Sequence, residues 1–220
     1  MTIIYLIRHS EPMNQDIKQI SNHDSLQTIN EKNILSVIGE EKAKLLSKNK
    51  ELQNIDYVIS SNYTRAMATA KYICKENNKE LNIIEDFGER KFGINNWNEL
   101  PQDFGVRQFE DENYKIGNGE SQKEVASRMY NALMDVVNKY QDKKIVIVSH
   151  ATAITFLLMK LGTYQDRKII FNNKILIDET FKWQAPEVFK LQFEQNNLIS
   201  IKNINNFINI NSCVKISKYL

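Results

Sequence analysis

The chain has 220 residues, of which 42% are hydrophobic and 25% are charged, the balance of an ordinary soluble globular domain. Its formal net charge of +2, from 29 basic and 27 acidic residues, gives no basic excess of the kind that binds nucleic acid or an anionic membrane. No apolar run reaches the roughly 18 residues of a transmembrane helix, and no basic segment precedes the first apolar run, so we expect neither a membrane span nor a signal peptide.

Short β-branched runs alternate with helical periods of apolar residues along the chain. Strands are predicted, in chain order, over residues 3–7, 56–60, 81–84 and 144–149. Helices are predicted over residues 37–53, 63–77, 121–141 and 151–162. A hairpin with strands over 187–194 and 198–204 is predicted at the sheet edge. This order predicts an α/β fold, a three-layer sandwich with a mostly parallel central sheet and helices on both faces.

Local signals mark two helix ends. Ser61 or Asn62 is expected to cap the helix over 63–77. Gly162 is expected to end the helix over 151–162 as a C′ residue.

The number and spacing of the cysteines indicate the redox state of the cellular compartment. Cys74 falls near the apolar face of a predicted helix, where we expect an inert core residue, and Cys213 is far from it in sequence. Because no Cys-x-x-Cys motif is present, free thiols are favoured over a disulfide framework. A reducing, cytoplasmic location is therefore predicted.

Residues 85–120 separate the third predicted strand from the longest predicted helix. The segment is polar and lacks clear periodicity, yet it holds five of the seven glycines and six aromatic side chains. A segment of this length is usually functional or disordered, and its aromatic content favours folding. We predict a single domain over residues 1–220, with a cap or loop insertion at about 85–120 over a site.

Polar and charged residues follow the predicted strands at the point where each strand ends. Arg8 and His9 follow the first strand, and Arg65 opens the helix after the second. Glu89 comes after the third strand, and His150 directly follows the fourth. Because ligands of open α/β sheets bind beyond the carboxyl ends of the strands, we expect these side chains to converge on one edge.

These residue types suit a phosphate dianion. Arg8 and Arg65 can make bidentate contacts, and the helix that begins at Ala151 can aim backbone N–H groups at the same anion. A neutral histidine beside the anion can attack phosphorus, and the arginines lower its pKa. His150 can donate to the phosphoryl oxygens, and Glu89 can protonate the leaving alkoxide. No carboxylate cluster for Mg²⁺ is apparent, so no metal and no cofactor is predicted.

Five segments resemble, in the same order, the motifs of the histidine phosphatase superfamily, the phosphoglycerate-mutase-like proteins. Residues 8–11, Arg-His-Ser-Glu, are similar to the family's Arg-His-Gly-Glu. Residues 60–70 match Ser-Ser-x-x-x-Arg-Ala-x-x-Thr-Ala in full. Residues 89–93, Glu-Arg-Lys-Phe-Gly, resemble its Glu-x-x-aromatic-Gly segment. Residues 119–121 match Gly-Glu-Ser, and residues 146–151 resemble its strand followed by Ser-His-Gly.

The resemblance implies roles for the residues at the strand ends. His9 is expected to be the phosphorylated nucleophile, and Glu89 the proton donor and then the base for water. Arg8, Arg65 and His150 are expected to bind the phosphate.

Some positions depart from the family pattern. The family often has an Asn six residues after the nucleophile; that position is Gln15 here, with Asn14 one residue earlier, and either amide can donate to the phosphate. Ser10 and Ala151 replace family glycines. Both residues are small, so a close backbone approach is expected to survive, although a positive φ would be costly at either position.

The resemblance predicts a metal-independent phosphomonoester hydrolase that acts through a phosphohistidine on a small phosphorylated metabolite. The alternatives are a phosphoglycerate-mutase-like phosphotransferase and a non-catalytic module that binds phosphorylated ligands. Mutases carry Glu-Arg-His-Tyr-Gly and a longer insertion, so the segment 89–93 favours the phosphatase. The sequence leaves open the natural substrate, the choice between monomer and homodimer, and the roles of His23 and of the tail 207–220.

Overall fold

The computed structural model describes residues 1–13 and 24–204. Asn14, Gln15, His23, Cys213 and the tail 207–220 lie outside the described residues. No helix in the described part of the chain is long and apolar enough to cross a membrane.

Within the described ranges, nine strands form one sheet of six strands and one of three. The strands are β1 Thr2–Arg8, β2 Tyr57–Ser60, β3 Leu81–Ile83, β4 Lys144–Ser149, β5 Thr163–Gln165, β6 Lys168–Phe171, β7 Lys174–Ile177, β8 Glu187–Glu194 and β9 Asn197–Asn203. The larger sheet has the order β3-β2-β4-β1-β8-β9. Its first four strands are parallel, and the hairpin β8-β9 is added antiparallel at the edge, as predicted.

Helices cover both faces of the larger sheet. They are α1 Leu26–Lys32, α2 Val37–Ser47, α3 Thr64–Asn77, α4 Phe104–Glu110, α5 Gln122–Lys139 and α6 Ala151–Leu161. Side chains alternate between the two faces along a strand. In β1, Ile4 and Leu6 pack in a core with α5 and α6, whereas Tyr5 and Ile7 pack with α2 and α3. The predicted three-layer α/β sandwich is confirmed. Cys74 is buried in the second of these cores, and burial raises the pKa of its thiol to about 11.

The predicted cap of α3 was wrong. Tyr63 is the N-cap residue, and it makes no side-chain capping bond. The Ser61 Oγ lies 2.8 Å from Nε2 of His150, one strand away, and it also accepts from the Tyr63 N–H over 3.4 Å. The hydroxyl therefore joins the strand-end cluster to the N-cap residue of α3, and it binds no N–H group within the helix.

Two other helix ends differ from expectation. The helix predicted over 37–53 ends at Ser47 and is followed by a 3₁₀ turn at Lys50–Leu52, because the Asn49 side chain accepts from a backbone N–H and starts the new turn. Gly162 does end α6, but with an extended φ of −115°. Glycine is needed there because a Cβ would lie 2.5 Å from the Ile170 carbonyl oxygen.

Sequence reasoning missed α1 and the smaller sheet, which pairs antiparallel in the order β5-β6-β7. Both of its turns have two residues with positive φ, Asp166 and Arg167 in one turn and Asn172 and Asn173 in the other. This is the geometry of two-residue type I′ hairpins. The Asn-Asn pair between two isoleucine-rich runs was the signal that could have found the second hairpin.

Residues 85–120 are folded into short helical pieces. These are 3₁₀ turns at Glu85–Phe87 and Trp97–Glu99, and the helix α4. Arg90 lies among them with 1% of its surface exposed, and its guanidinium packs 4.6 Å from the centre of the Phe104 ring. The same guanidinium donates to the backbone carbonyls of Tyr114 and Glu120. One buried arginine therefore ties distant parts of the cap together.

Candidate active site

The ends of β1 and β4 place two imidazoles side by side. The strands pair in parallel with Arg8 opposite Ser149, and the His9 N–H donates to the Ser149 carbonyl over 2.9 Å. The rings of His9 and His150 then lie with their centroids 5.0 Å apart. Both side chains are buried, with 5% and 0% of their surfaces exposed. The sheet register thus brings together two residues that are far apart in sequence.

Arg65, in the first turn of α3, joins the two imidazoles. Its Nε donates to Nε2 of His9 over 3.0 Å, and its Nη2 donates to Nδ1 of His150 over 3.2 Å. Its Nη1 donates to the Asn30 carbonyl of α1. Arg65 is buried, with 4% of its surface exposed. Since a guanidinium has five donors in a rigid plane, it can hold both rings in fixed orientations.

These hydrogen bonds assign the tautomer of His9. Its Nδ1 lies 2.6 Å from the Ser10 carbonyl, which can only accept, so Nδ1 carries the proton. Nε2 accepts from Arg65 and therefore holds a lone pair. Burial, followed by the charge of Arg65, holds the pKa of His9 well below its ordinary value. The sequence predicted the effect of the arginines, but burial is the larger cause.

His150 takes the opposite tautomer. Its Nδ1 accepts from Arg65, so the proton of the neutral ring lies on Nε2, which donates to Ser61 Oγ. Burial, His9 and Arg65 lower its pKa well below the ordinary value. In this structure the Nε2–H of His150 is therefore directed at Ser61.

The loop after His9 is fixed by hydrogen bonds to α2 and α3. The Ser10 N–H donates to Thr69 Oγ1 over 2.9 Å, and the Ser10 hydroxyl donates to the Gly39 carbonyl over 2.7 Å. Thr69 in turn donates to the Arg65 carbonyl. A Cβ on Gly39 would lie only 2.0 Å from the Glu11 carbonyl oxygen, so this approach requires glycine. Sequence reasoning missed Gly39, for which the chain offers no local signal.

The two replaced glycines create no backbone strain. Neither Ser10 nor Ala151 is among the residues with positive φ. Ser10 instead gains a hydroxyl that bonds Gly39, and Ala151 is the first residue of α6.

Arg8 is the last residue of β1 and directly precedes His9. Its Nη1 donates to the carbonyls of Trp183 (3.2 Å) and Gln184 (2.9 Å). Its Nε is buried and has no hydrogen-bond partner among the described residues. Burial lowers the pKa of Arg8, and the charges of Glu89 and Glu187 oppose that shift.

Glu187 supports the segment that holds Arg8. It lies opposite Arg8 in the β1–β8 register and is 2% exposed. Its carboxylate accepts from the Gln184 N–H and from the Asn203 amide, each over 2.8 Å. Burial raises its pKa. Sequence reasoning missed Glu187, which lies at the start of a predicted strand without a motif around it.

Glu89 lies on the N-terminus of α6. Its carboxylate accepts from the backbone N–H groups of Thr152 (3.3 Å), Ala153 (3.0 Å) and its own neighbour Arg90 (2.9 Å). Two N–H groups that the sequence analysis assigned to a bound anion therefore bind Glu89 in this structure. A helix N-terminus favours a negative charge, so α6 positions this carboxyl group at the strand ends.

Arg128 of α5 holds the backbone around Glu89. Its guanidinium donates to the carbonyls of Asp86, Gly88 and Glu89 and forms an ion pair with Glu120, with Nε 2.7 Å from Oε1. Glu120 belongs to the Gly-Glu-Ser motif, which thus anchors the segment that carries Glu89. Sequence reasoning missed Arg128.

A family profile and two curated relatives match the chain. The profile of the histidine phosphatase superfamily (branch 1) matches residues 4–173. "Uncharacterized phosphatase PhoE" of Bacillus subtilis is 27% identical over 128 residues, which are 58% of this chain and 64% of that protein. The chain thus spans less than two thirds of that relative. "Probable phosphoglycerate mutase GpmB" of Yersinia pestis is 26% identical over 185 residues, 79% of this chain and 82% of that protein.

Solved structures share the fold. A phosphoserine phosphatase mutant from Entamoeba histolytica, in complex with phosphoserine, gives a TM-score of 0.65 at 23% identity over 91% of this chain and 96% of that one. YhfR of Bacillus stearothermophilus gives a TM-score of 0.67 at 17% identity, over 90% of this chain and 95% of that one. The prediction of a phosphatase enzyme is confirmed at the level of the family. The chain belongs to the histidine phosphatase superfamily.

Proposed function

We propose that the protein is a metal-independent phosphomonoester hydrolase that forms a phosphohistidine at Nε2 of His9 and acts on a small phosphorylated metabolite. The observation that carries the proposal is the His9 ring itself. Its Nδ1–H is bound to the Ser10 carbonyl, and its Nε2 lone pair faces the Arg65 fork. A lowered pKa keeps this nitrogen unprotonated near neutral pH, as a nucleophile requires.

The arginines supply the charge that a phosphate dianion needs. Nε and Nη2 of Arg65 now donate to neutral imidazoles, and phosphate oxygens are stronger acceptors for the same donors. The buried Nε of Arg8 offers a further donor. A bound dianion also favours protonation of His150, which then has a second N–H, at Nδ1, for a phosphoryl oxygen.

In the first step Nε2 of His9 attacks phosphorus, and the bond from phosphorus to the alcohol oxygen breaks. The alcohol oxygen leaves with that electron pair and takes a proton from the Glu89 carboxyl group, which the negative charge of the bound phosphate keeps protonated at this stage. The phosphorylated imidazole is a cation, because Nδ1 keeps its proton. The Ser10 carbonyl, 2.6 Å from Nδ1, stabilises that charge.

In the second step the Glu89 carboxylate takes a proton from water as the water oxygen attacks phosphorus. The bond between phosphorus and Nε2 breaks, its electrons return to the imidazole, and inorganic phosphate is released. The backbone N–H groups of α6 hold the carboxylate in place through both steps. One carboxyl group acts as acid and then as base, so no metal is needed for proton transfer.

A phosphoglycerate-mutase-like phosphotransferase is the second candidate, because GpmB matches 79% of the chain. Arg90 supports the phosphatase instead. It stands where the mutase segment Glu-Arg-His-Tyr-Gly has its arginine, yet it is 1% exposed and donates to backbone carbonyls of the cap. Its guanidinium is thus committed to the cap and is not offered to a substrate carboxylate.

Three finer expectations also stay proposals. We propose that residues 1–220 form one domain, that the protein works in the cytoplasm as a monomer or homodimer, and that its partners are small phosphorylated molecules. The buried, free thiol of Cys74 supports a reducing compartment.

The test is phosphate release from a panel of phosphomonoesters in excess EDTA near pH 6–7, together with trapping of the phosphoenzyme. We expect release that survives EDTA and a protein-bound phosphate that is labile in acid and stable in base. The His9→Ala variant should lose both signals. Release that needs a metal, or that survives in His9→Ala, contradicts the proposal. Phosphate transfer that depends on a bisphosphate primer, with little release of inorganic phosphate, would indicate the mutase. Binding of phosphorylated ligands without turnover would indicate the non-catalytic module.

A further inference from the structure

A largely apolar cavity of about 490 Å³ lies between α4 of the cap, α6 and the small sheet β5–β7. Its apolar lining comes from Val106, Phe109, Tyr164, Ile169 and Ile177. The rings of Phe109 and Tyr164 lie with their centroids 5.8 Å apart. Pockets of this size and character take small organic molecules.

Two walls of the cavity continue into the candidate active site. Thr155 lines the cavity and donates to the Ala151 carbonyl at the start of α6, where the backbone binds Glu89. Four residues of helix span about 6 Å, so the cavity begins about one turn along α6 from the helix end that binds Glu89. On the other wall, Asp178 begins the segment whose later carbonyls hold Arg8.

The charges at the cavity argue against an anionic occupant. Three carboxylates, those of Glu110, Asp178 and Glu179, and one guanidinium, that of Arg167, line it. The Asp178 carboxylate also accepts from the N–H and hydroxyl of Thr180, which lowers its pKa and keeps it charged. The lining thus has a negative excess that repels a substrate carboxylate or second phosphate.

From these observations we propose that the cavity binds the far end of the alcohol part of the substrate, and that this end is uncharged and apolar. The preferred substrates are then phosphomonoesters of medium-chain or phenylalkyl alcohols. Esters that carry a carboxylate, such as phosphoserine or 3-phosphoglycerate, are poor substrates. This inference rests on the proposed hydrolase function and names its substrate class.

The first test is kcat/KM along ethyl, butyl and hexyl phosphate, whose leaving alcohols have similar basicity, with 3-phosphoglycerate for comparison. Burying a methylene contributes enough to raise kcat/KM about 3- to 4-fold for each carbon that enters the cavity. A series without chain-length dependence, or a preference for 3-phosphoglycerate, overturns the inference while leaving the hydrolase intact. No hydrolysis of any ester overturns the proposed function instead.

A matched pair of variants locates the effect. Val106 lines the cavity and Ile175 on β7 does not, although each is 53% exposed. Val106→Asp should remove most of the increase in kcat/KM from ethyl to hexyl phosphate. It should leave kcat/KM for ethyl phosphate within about 2-fold of the wild-type value, since that ester is too short to reach the cavity. Ile175→Asp should change neither rate. Equal effects of the two variants, or an equal loss on both substrates in Val106→Asp, contradict the inference.

Discussion

The Arg65→Lys variant tests whether the shape of the guanidinium, rather than its charge, organises the two imidazoles. In the wild type, three different nitrogens of Arg65 donate to Nε2 of His9, Nδ1 of His150 and the Asn30 carbonyl. Lysine keeps the positive charge but has one nitrogen on a flexible stem. It cannot reproduce a planar fork whose nitrogens bind three acceptors at separate positions.

The expected decrease in kcat/KM follows from the hydrogen bonds to phosphoryl oxygens that the variant loses. We propose that Nε and Nη2 transfer to phosphoryl oxygens, so the variant loses up to two hydrogen bonds to a charged group in the transition state. Each is worth about 1.5–3 kcal/mol. The loss of both, about 3–6 kcal/mol, corresponds to a decrease in kcat/KM of about 10²- to 10⁴-fold.

The assay is kcat/KM for the best phosphomonoester, with the thermal midpoint of unfolding measured in parallel. Arg107→Lys is the control, because Arg107 is an exposed arginine of the cap that pairs with Asp103, the N-cap residue of α4, and it should change kcat/KM less than about 2-fold. A folded Arg65→Lys variant that keeps kcat/KM within 10-fold of wild type would refute the reasoning. Charge alone would then suffice.

Three further perturbations test the parts around the site. Thr69→Val removes the acceptor of the Ser10 N–H and should lower the free energy of unfolding by about 1–3 kcal/mol in urea titrations; an unchanged value means that the loop finds another partner. Glu187→Gln cannot accept both of its present donors, so we expect a higher KM and a higher inhibition constant for phosphate, with kcat little changed, because Arg8 is released. A fall in kcat alone contradicts that positioning role. Both site imidazoles have pKa values lowered in the folded state, so the unfolded chain binds more protons below pH 6.5. Stability should therefore fall as pH falls from about 6.5, and a double His-to-Gln variant should show a weaker dependence.

Local sequence patterns predicted the elements that are long or strongly apolar. Residues 145–148 form an unbroken apolar run, and the structure has β4 over Lys144–Ser149, the predicted range. The helical spacing of apolar residues likewise predicted a helix over 121–141, and the structure has α5 over Gln122–Lys139, begun by a capping box at Ser121. The smaller sheet has strands of three or four residues, too short for periodicity to identify, and only its Asn172–Asn173 turn carries a signal.

The residues that support the site were beyond prediction for a different reason. Arg8 is held by the carbonyls of Trp183 and Gln184, and backbone carbonyls carry no sequence signature. Arg128 and Glu187 act on residues far away in the chain. Their contacts depend on which elements pack together, which no local pattern contains.

The sequence by itself determined the order along the chain of the strands in the larger sheet and which chemical groups stand at their ends, since strand periodicity and the five motifs are local properties. Only the tertiary structure decided the states of those groups. Burial and the Arg65 fork set opposite tautomers for His9 and His150, and α6 directs its N–H groups to Glu89. Protonation and orientation depend on desolvation and on contacts between distant residues, and both exist only once the chain has folded.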